Sequence, residues 1–425
     1  MRKALLTVSS LMVLLPGCDS ESTSGASSRS APSGEISVQV SGEAEETAVY
    51  ETAVKAFEDS NDNISVRLVK VADGDDHLAK LTTAFAGGNP PDIFLINYRE
   101  YAQFVTRGAV ANIDSVADGR IDFDLYYDQP VDAFTFDGAR QCMPQNISSL
   151  VVYYNRDLFK EAGITRPRNA WSWEEFRATG LELTNGDVRG LGIDPQIIRI
   201  APFVWSNGGE ITDDPDTPTM FTLDSPEARE ALEFIVSLVR DDRIVPTEEE
   251  LAAQDPETRF ATGKLAMLLS SRRDTPVFRE VQGLNWDVLP LPVADEPAGI
   301  LHSDAYCISA GSDNKEAALE FIRFITGQEG QTVTAFGGRT VPSLRSVAES
   351  GAFIDATQEP RHSEVFLEGV SFIRRTPVIS TWPEIESVSE ELLTRLFYED
   401  GYTVDDFLRD LKEQSDPLFA EAAQE

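Results

Sequence analysis

A chain of 425 residues is longer than one hydrophobic core usually serves, so two domains are expected. Its 41% hydrophobic, 9% aromatic and 25% charged residues fit a soluble globular protein rather than a disordered or fibrous one. With 72 acidic against 36 basic residues the formal charge is −36, which argues against nucleic acid or anionic lipid as a partner, because phosphate binding needs a basic footprint.

The bland reading of that acidity is solubility, as in a salty habitat. At the N-terminus, Arg2 and Lys3 precede a short apolar run from Ala4 to Leu15. A stable bilayer-crossing helix needs roughly 20 residues, so this run reads as a secretory signal. Leu15-Pro16-Gly17-Cys18 resembles a bacterial lipobox, in which the Cys is acylated and becomes the mature N-terminus. Residues 1–18 are therefore read as a lipoprotein signal, against the alternative of an ordinary cleaved signal with an incidental Cys. Residues 19–34 are rich in Ser, Gly and Ala and read as a flexible tether.

Beyond the tether, Ile36 to Val40 alternates as a strand and ends at Ser41-Gly42-Glu43. Ala48, Val49, Val54 and Phe57 follow near the helical period, then Ile64 to Val71 as a second strand. Leu78, Leu81 and Phe85 give another helix, stopped at Gly87-Gly88, and Asp92 to Asn97 a short buried strand. This alternation predicts an α/β layer with a largely parallel sheet, whose ligands sit beyond the carboxyl ends of the strands. Ser41-Gly42-Glu43 and Asn97-Tyr98-Arg99 then share one rim. Further along, Leu150 to Tyr154 is an apolar strand and Trp173 to Leu183 a helix. Pro202 to Gly209 reads as a helix ending at Gly, and Asp224-Ser225-Pro226 opens the next one. Ala266 to Leu269, Trp286 to Leu289 and Ala305 to Ser309 are strands, and the chain from Gly351 onward is helix-rich.

Six segments carry a resemblance. They are Gly88-Asn89-Pro90-Pro91-Asp92-Ile93-Phe94, Ser149 to Phe159, Trp171-Ser172-Trp173-Glu174-Glu175-Phe176, Gly263-Lys264-Leu265-Ala266-Met267, Asn285 to Pro292, and Ala317 to Ile325. In that order and spacing the chain resembles the extracellular solute-binding proteins of carbohydrate ABC importers, the family that includes maltose-binding protein. The resemblance implies an α/β, two-lobed periplasmic-binding-protein fold of type II. Each lobe would be a mostly parallel sheet flanked by helices, the two joined at a hinge and closing around a ligand. By analogy the first lobe holds residues 35–143 plus 305–345, and the second holds 144–304 plus 346–425.

Sugar recognition uses aromatic faces and planar polar side chains. The resemblance places Glu43, Asn97 and Tyr98 at the ligand from the first lobe, and Asn146 and Ser148 from the hinge. Trp205 would be a ring platform. Arg272 and Arg273 stand where many sugar binders carry an aromatic residue, which suggests bidentate donors to hydroxyls, or to a carboxylate if the ligand is acidic. Asp304 and Tyr306 at the return hinge, Arg339 and Trp382 complete the candidates. Each competes with a plainer role as a core residue, a loop cap or a solvated charge.

There are three Cys; with Cys18 assigned to lipid, Cys142 and Cys307 fall on the hinge strands that relatives place side by side. A Cys142–Cys307 disulfide is expected in an oxidising compartment, against the alternative of two buried thiols. The three His have no metal-site spacing, and neither a phosphate loop nor a Ser nucleophile elbow is present, so no cofactor, no metal and no catalysis are expected. The expected function is the sugar-binding component of an ABC import system. It would be a monomer held outside the membrane by its lipid and delivering ligand to permease subunits. Alternatives are a binding protein for a glycerol phosphate, polyamine or peptide, a secreted carbohydrate-active enzyme, and a sensor lipoprotein.

Overall fold

The computed structural model describes residues 32–42, 44–72, 74–167 and 171–424, with the side chains of Glu45 and Asp75 left out. Cys18 and Glu43 lie outside the described residues. Two sheets organise the chain. The first begins with β1 (Gly34–Ser41), α1 (Ala44–Ser60), β2 (Ile64–Val71), α2 (Gly74–Ala86) and β3 (Ile93–Asn97). β1 runs parallel to β2 from Gly34↔Ile64 to Ser41↔Val71, and parallel to β3 at Val38↔Ile93. Ile36 through Val40 are all buried, as a central strand covered on both faces must be. β2 instead mixes buried, half-buried and exposed positions and bears Arg67 and Lys70, charges that blunt a sheet edge.

The strand Asp304–Ser309 joins this sheet antiparallel to β3, from Asp304↔Asn97 to Ile308↔Ile93, and also pairs with Met143–Pro144. The second sheet runs in the order Trp286–Leu289, Val151–Asn155, Leu265–Ser270, Arg189–Gly192. Only the last pairing is parallel. The expectation of mostly parallel sheets is thus corrected: both are mixed. The reason is the hinge. β1, β3 and Leu265–Ser270 run toward the crevice described below, whereas Asp304–Ser309 and Val151–Asn155 start from it as the chain crosses between sheets.

Local signals account for much of the rest. Ser172 and Glu175 form a reciprocal capping box on the helix Trp173–Leu183, and Ser225 caps Pro226–Arg240 with Pro at its start. Asp92 of the Gly-Asn-Pro-Pro-Asp segment is a structural clamp: its carboxylate accepts from Ser37 N at 2.8 Å, Ser37 Oγ at 2.9 Å, Ser312 Oγ at 2.7 Å and Asn314 Nδ2 at 3.2 Å. Gly190 lets its strand lie against the helix Trp173–Leu183, since a Cβ there would sit 2.2 Å from the Gly180 carbonyl oxygen.

Apolar residues form two cores that meet across the second sheet. Val151 and Tyr153 point into the first core with Trp286 and Phe278; Val152 and Tyr154 point into the second with Met267 and Leu269. The predicted bridge is present: Cys142 and Cys307 are disulfide-bonded with Cα atoms 4.5 Å apart. No helix among the described residues is long and apolar enough to cross a membrane.

Candidate functional site

Where the strands of both sheets end, a crevice opens as two adjoining compartments. The inner one, about 180 Å³, is reached by Ser41 from β1, His77 from α2 and Asn97 from β3, facing Ser271 and Arg273 after the strand Leu265–Ser270. The outer one, about 460 Å³, extends to Asp194–Arg199 and to the helix Trp382–Tyr398 through Glu386 and Glu390. Arg99, Arg273 and His302 line both.

A hydrogen-bonded chain crosses the floor. Asn97 Nδ2 donates to Asp304 Oδ1 at 3.0 Å, and Arg99 donates from N and Nε to Asn97 Oδ1 at 3.2 and 3.1 Å. Arg99 Nη1 then reaches Glu386 Oε2 at 2.5 Å, an ion pair between the end of β3 and a helix of the second core. On the hinge side, Asn146 Oδ1 accepts from Asp304 N at 2.7 Å. Arg339 pairs with Glu46 at 3.0 Å, and Arg273 with Asp274 at 3.3 Å.

Both crevice histidines are neutral near pH 7. Burial is the main cause of the low pKa of His77, whose Nε2 meets the Leu95 carbonyl at 2.7 Å. Burial, then Arg199, Arg99 and Arg273, push His302 well below the ordinary imidazole range. Its Nε2 has no hydrogen-bond partner among the described residues, and neither do Arg199 Nη1 and Glu386 Oε1, all three buried. All three belong to side chains that line the outer compartment, and leaving a buried polar atom unmatched costs about 1–3 kcal/mol. Among the described residues no cluster of His, Cys, Asp and Glu is arranged to hold a metal ion.

Of the residues expected at a ligand, Asn97, Asn146, Ser148, Arg272, Arg273, Asp304 and Arg339 line the inner compartment. Four aromatic candidates do not line either compartment. Tyr98 is buried and its hydroxyl bonds Thr376 Oγ1 at 3.0 Å; Tyr306 donates to Gln145 Oε1 at 2.6 Å. Trp205 lies in the second core with the Arg374 guanidinium 4.7 Å from its ring centroid, because every residue of its helix Ile197–Ser206 is buried. Trp382 is wholly buried beside Phe221 and Phe419. Arg272 lines the inner compartment with its guanidinium already engaged by the protein. Its guanidinium lies 4.8 and 5.1 Å from the Phe353 and Phe366 rings and donates to Gly338 O at 3.1 Å and Ser363 Oγ at 3.2 Å. His302 and Arg199 escaped the sequence reading, although a lone Arg inside the apolar run Ile197-Ile198-Arg199-Ile200 is a legible anomaly.

The family model for bacterial extracellular solute-binding proteins matches residues 52–360, more than half of the chain. A binding protein of Brucella abortus is 24% identical over 401 residues, covering 92% of this chain and 94% of that one. The diacetylchitobiose binding protein DasA of Streptomyces coelicolor is 23% identical over 338 residues, covering 75% and 74%. Among solved structures, an ABC substrate-binding protein of Listeria monocytogenes in complex with cycloalternan superposes with a TM-score of 0.82 at 26% identity, over 91% of this chain and 98% of that one. Sheets, hinge, polar crevice and family match agree: this chain belongs to the bacterial extracellular solute-binding proteins.

Proposed function

We propose that the chain is the sugar- or oligosaccharide-capturing subunit of an ABC import system, working outside the cytoplasmic membrane as a monomer anchored through an acylated Cys18. The observation that carries this reading is the crevice itself. It is formed where two sheets and the hinge segments meet, and Asn97, Asn146, Ser148 and Asp304 converge on it. Residues 35–143 plus 305–345 form the first lobe, and 144–304 plus 346–425 the second. Ligand entering between them favours the closed form by its differential affinity, and the closed form docks on the permease. The Streptomyces relative's diacetylchitobiose and the Listeria protein's cycloalternan support an oligosaccharide-class ligand. Affinity arises from enclosure and convergent hydrogen bonds, with no covalent step.

A thermal-shift screen of mono-, di- and oligosaccharides tests the reading. Ligand at a hundredfold excess over Kd stabilises by roughly 2.7 kcal/mol, a shift that is easily read. Chemically altered sugar in the recovered mixture would point to the enzyme alternative. Replacing Cys18 with Ala should release the protein from membranes and abolish palmitate labelling; retention would remove the anchor.

A further inference from the structure

Among the described residues the inner compartment of the crevice reverses the charge balance of the chain, whereas the outer one carries Arg99, Arg199 and Arg273 against Glu100, Asp194, Glu386 and Glu390. Acidic residues outnumber basic ones 72 to 36 overall. The inner compartment is nevertheless lined by Arg99, Arg272, Arg273 and Arg339 against Glu100 and Asp304. The carboxylates that pair three of these guanidinium groups, Glu386, Asp274 and Glu46, are not part of that lining. Low-dielectric walls concentrate such a field within a cleft.

The outer wall supplies the contacts. Arg199 is 5% exposed, pairs with Asp194 through Nε at 3.3 Å, and keeps Nη1 without a partner. His302 Nε2, on the same wall, is likewise unmatched. The Arg273 side chain, 54% exposed, lines the same space. Four acids line the same space: Asp194 pairs with Arg199, Glu386 pairs with Arg99 through Oε2 while its Oε1 is unmatched, Glu390 accepts from Gln196 Nε2 at 3.4 Å, and Glu100 is the fourth. No Trp, Tyr or Phe lines either compartment, so a ring held by aromatic stacking has no platform among the described residues.

We infer that the ligand is a hydroxylated compound bearing an oxyanion, a carboxylate or a phosphate, seated at Arg199, Arg273 and His302 while Asn97, Asn146 and Asp304 take its hydroxyls. This rests on the solute-capture reading above and narrows its substrate class. A neutral imidazole with Nε2 protonated donates to the oxyanion without needing a charge of its own, and the Arg fork matches carboxylate and phosphate geometry.

Matched panels test it by calorimetry at low ionic strength: glucose, glucuronate, glucose 6-phosphate and glucosamine, the galactose equivalents, and neutral and uronate oligosaccharides. The expected result is that an acid or phosphate member binds at least tenfold tighter than its neutral parent, with the preference shrinking as salt rises. Which of the two wins distinguishes carboxylate from phosphate. Arg273→Gln should cut the preference by about tenfold, with Arg273→Lys recovering part of it; because the Lys variant keeps a cation beside the buried Asp274 carboxylate, a preference still reduced in that variant at an unchanged melting temperature separates lost ligand contact from lost stability. Neutral or amino sugars binding as tightly as their acids would overturn the oxyanion and leave solute capture standing. No binding across all the panels would overturn both.

Discussion

Replacing Cys142 and Cys307 together by Ser and Ala opens the hinge bridge, and the size of the effect can be worked out. The two cysteines are 165 residues apart in sequence, so the bond closes a long loop in the unfolded chain. In the chain-entropy account a loop of that length is worth roughly 5 kcal/mol, while natural and engineered bridges more often deliver about 2–4. Neighbouring pairings, Tyr306↔Met143 and Ala305↔Pro144, keep the strands adjacent in the folded form without the bond. The loss is therefore expected to arise in the unfolded state and to reach at least about 2 kcal/mol. Urea unfolding of the double variant beside the oxidised parent, and of the parent in reductant, measures it. Both perturbed samples should move to lower urea by the same amount, with ligand affinity held within about twofold. Coincident midpoints for all samples, or a variant that loses binding while keeping its stability, would refute the reasoning.

Glu386→Gln removes one partner of the Arg99 ion pair, whose side chains are 18% and 17% exposed. Stranding a mostly buried guanidinium costs a few kcal/mol at most; a shift of the small-angle scattering profile toward a more open form and a tenfold or greater loss of affinity are expected. Asp92 is lifted by burial, but hydrogen bonds from Ser312 and Ser37 outweigh that and hold it below the usual carboxylate range. A group lowered in this way stabilises fully above its unfolded value near about 3.9 and loses that contribution as pH falls through its folded value. Asp92→Asn should flatten the acid limb of the stability curve, read by melting between neutral and acidic pH. Trp205→Phe should lower stability by about 1–3 kcal/mol through lost core contacts yet leave the dissociation constant unchanged; a tenfold weaker ligand in calorimetry would instead restore the ring to the crevice.

What the sequence disclosed and what it hid divide along physical lines. Signals that act over a few residues were legible: the Ser225-Pro226 helix start and the short buried run from Ala266 to Leu269; the pairing of Cys142 with Cys307, far apart in the chain, came only with the family resemblance. Strand direction at the hinge was not, because Val151–Asn155 and Asp304–Ser309 take their orientation from a crossing between distant parts of the chain. Side-chain facing was the other blind spot. A helix buried all round, such as Ile197–Ser206, has no polar face to say which way Trp205 points, and the same helix hid the inward Arg199. Polar candidates fared differently from rings: Asn97, Asn146 and Asp304 sit at strand ends and crossings, where the fold itself fixes the location of the opening.

The partition of alternate residues in Val151–Asn155 between two apolar interiors bears on how the molecule can be taken apart. A cut in the crossings near Leu150 and Leu301 would strip one side of that sheet and lay bare Tyr153, Phe278 and Trp286 at once. Such a half would aggregate rather than stand alone. Reporter domains and split-protein designs on this scaffold therefore belong in an outlying turn, such as that between Asp213 and Thr219, where the chain bonds mainly to itself.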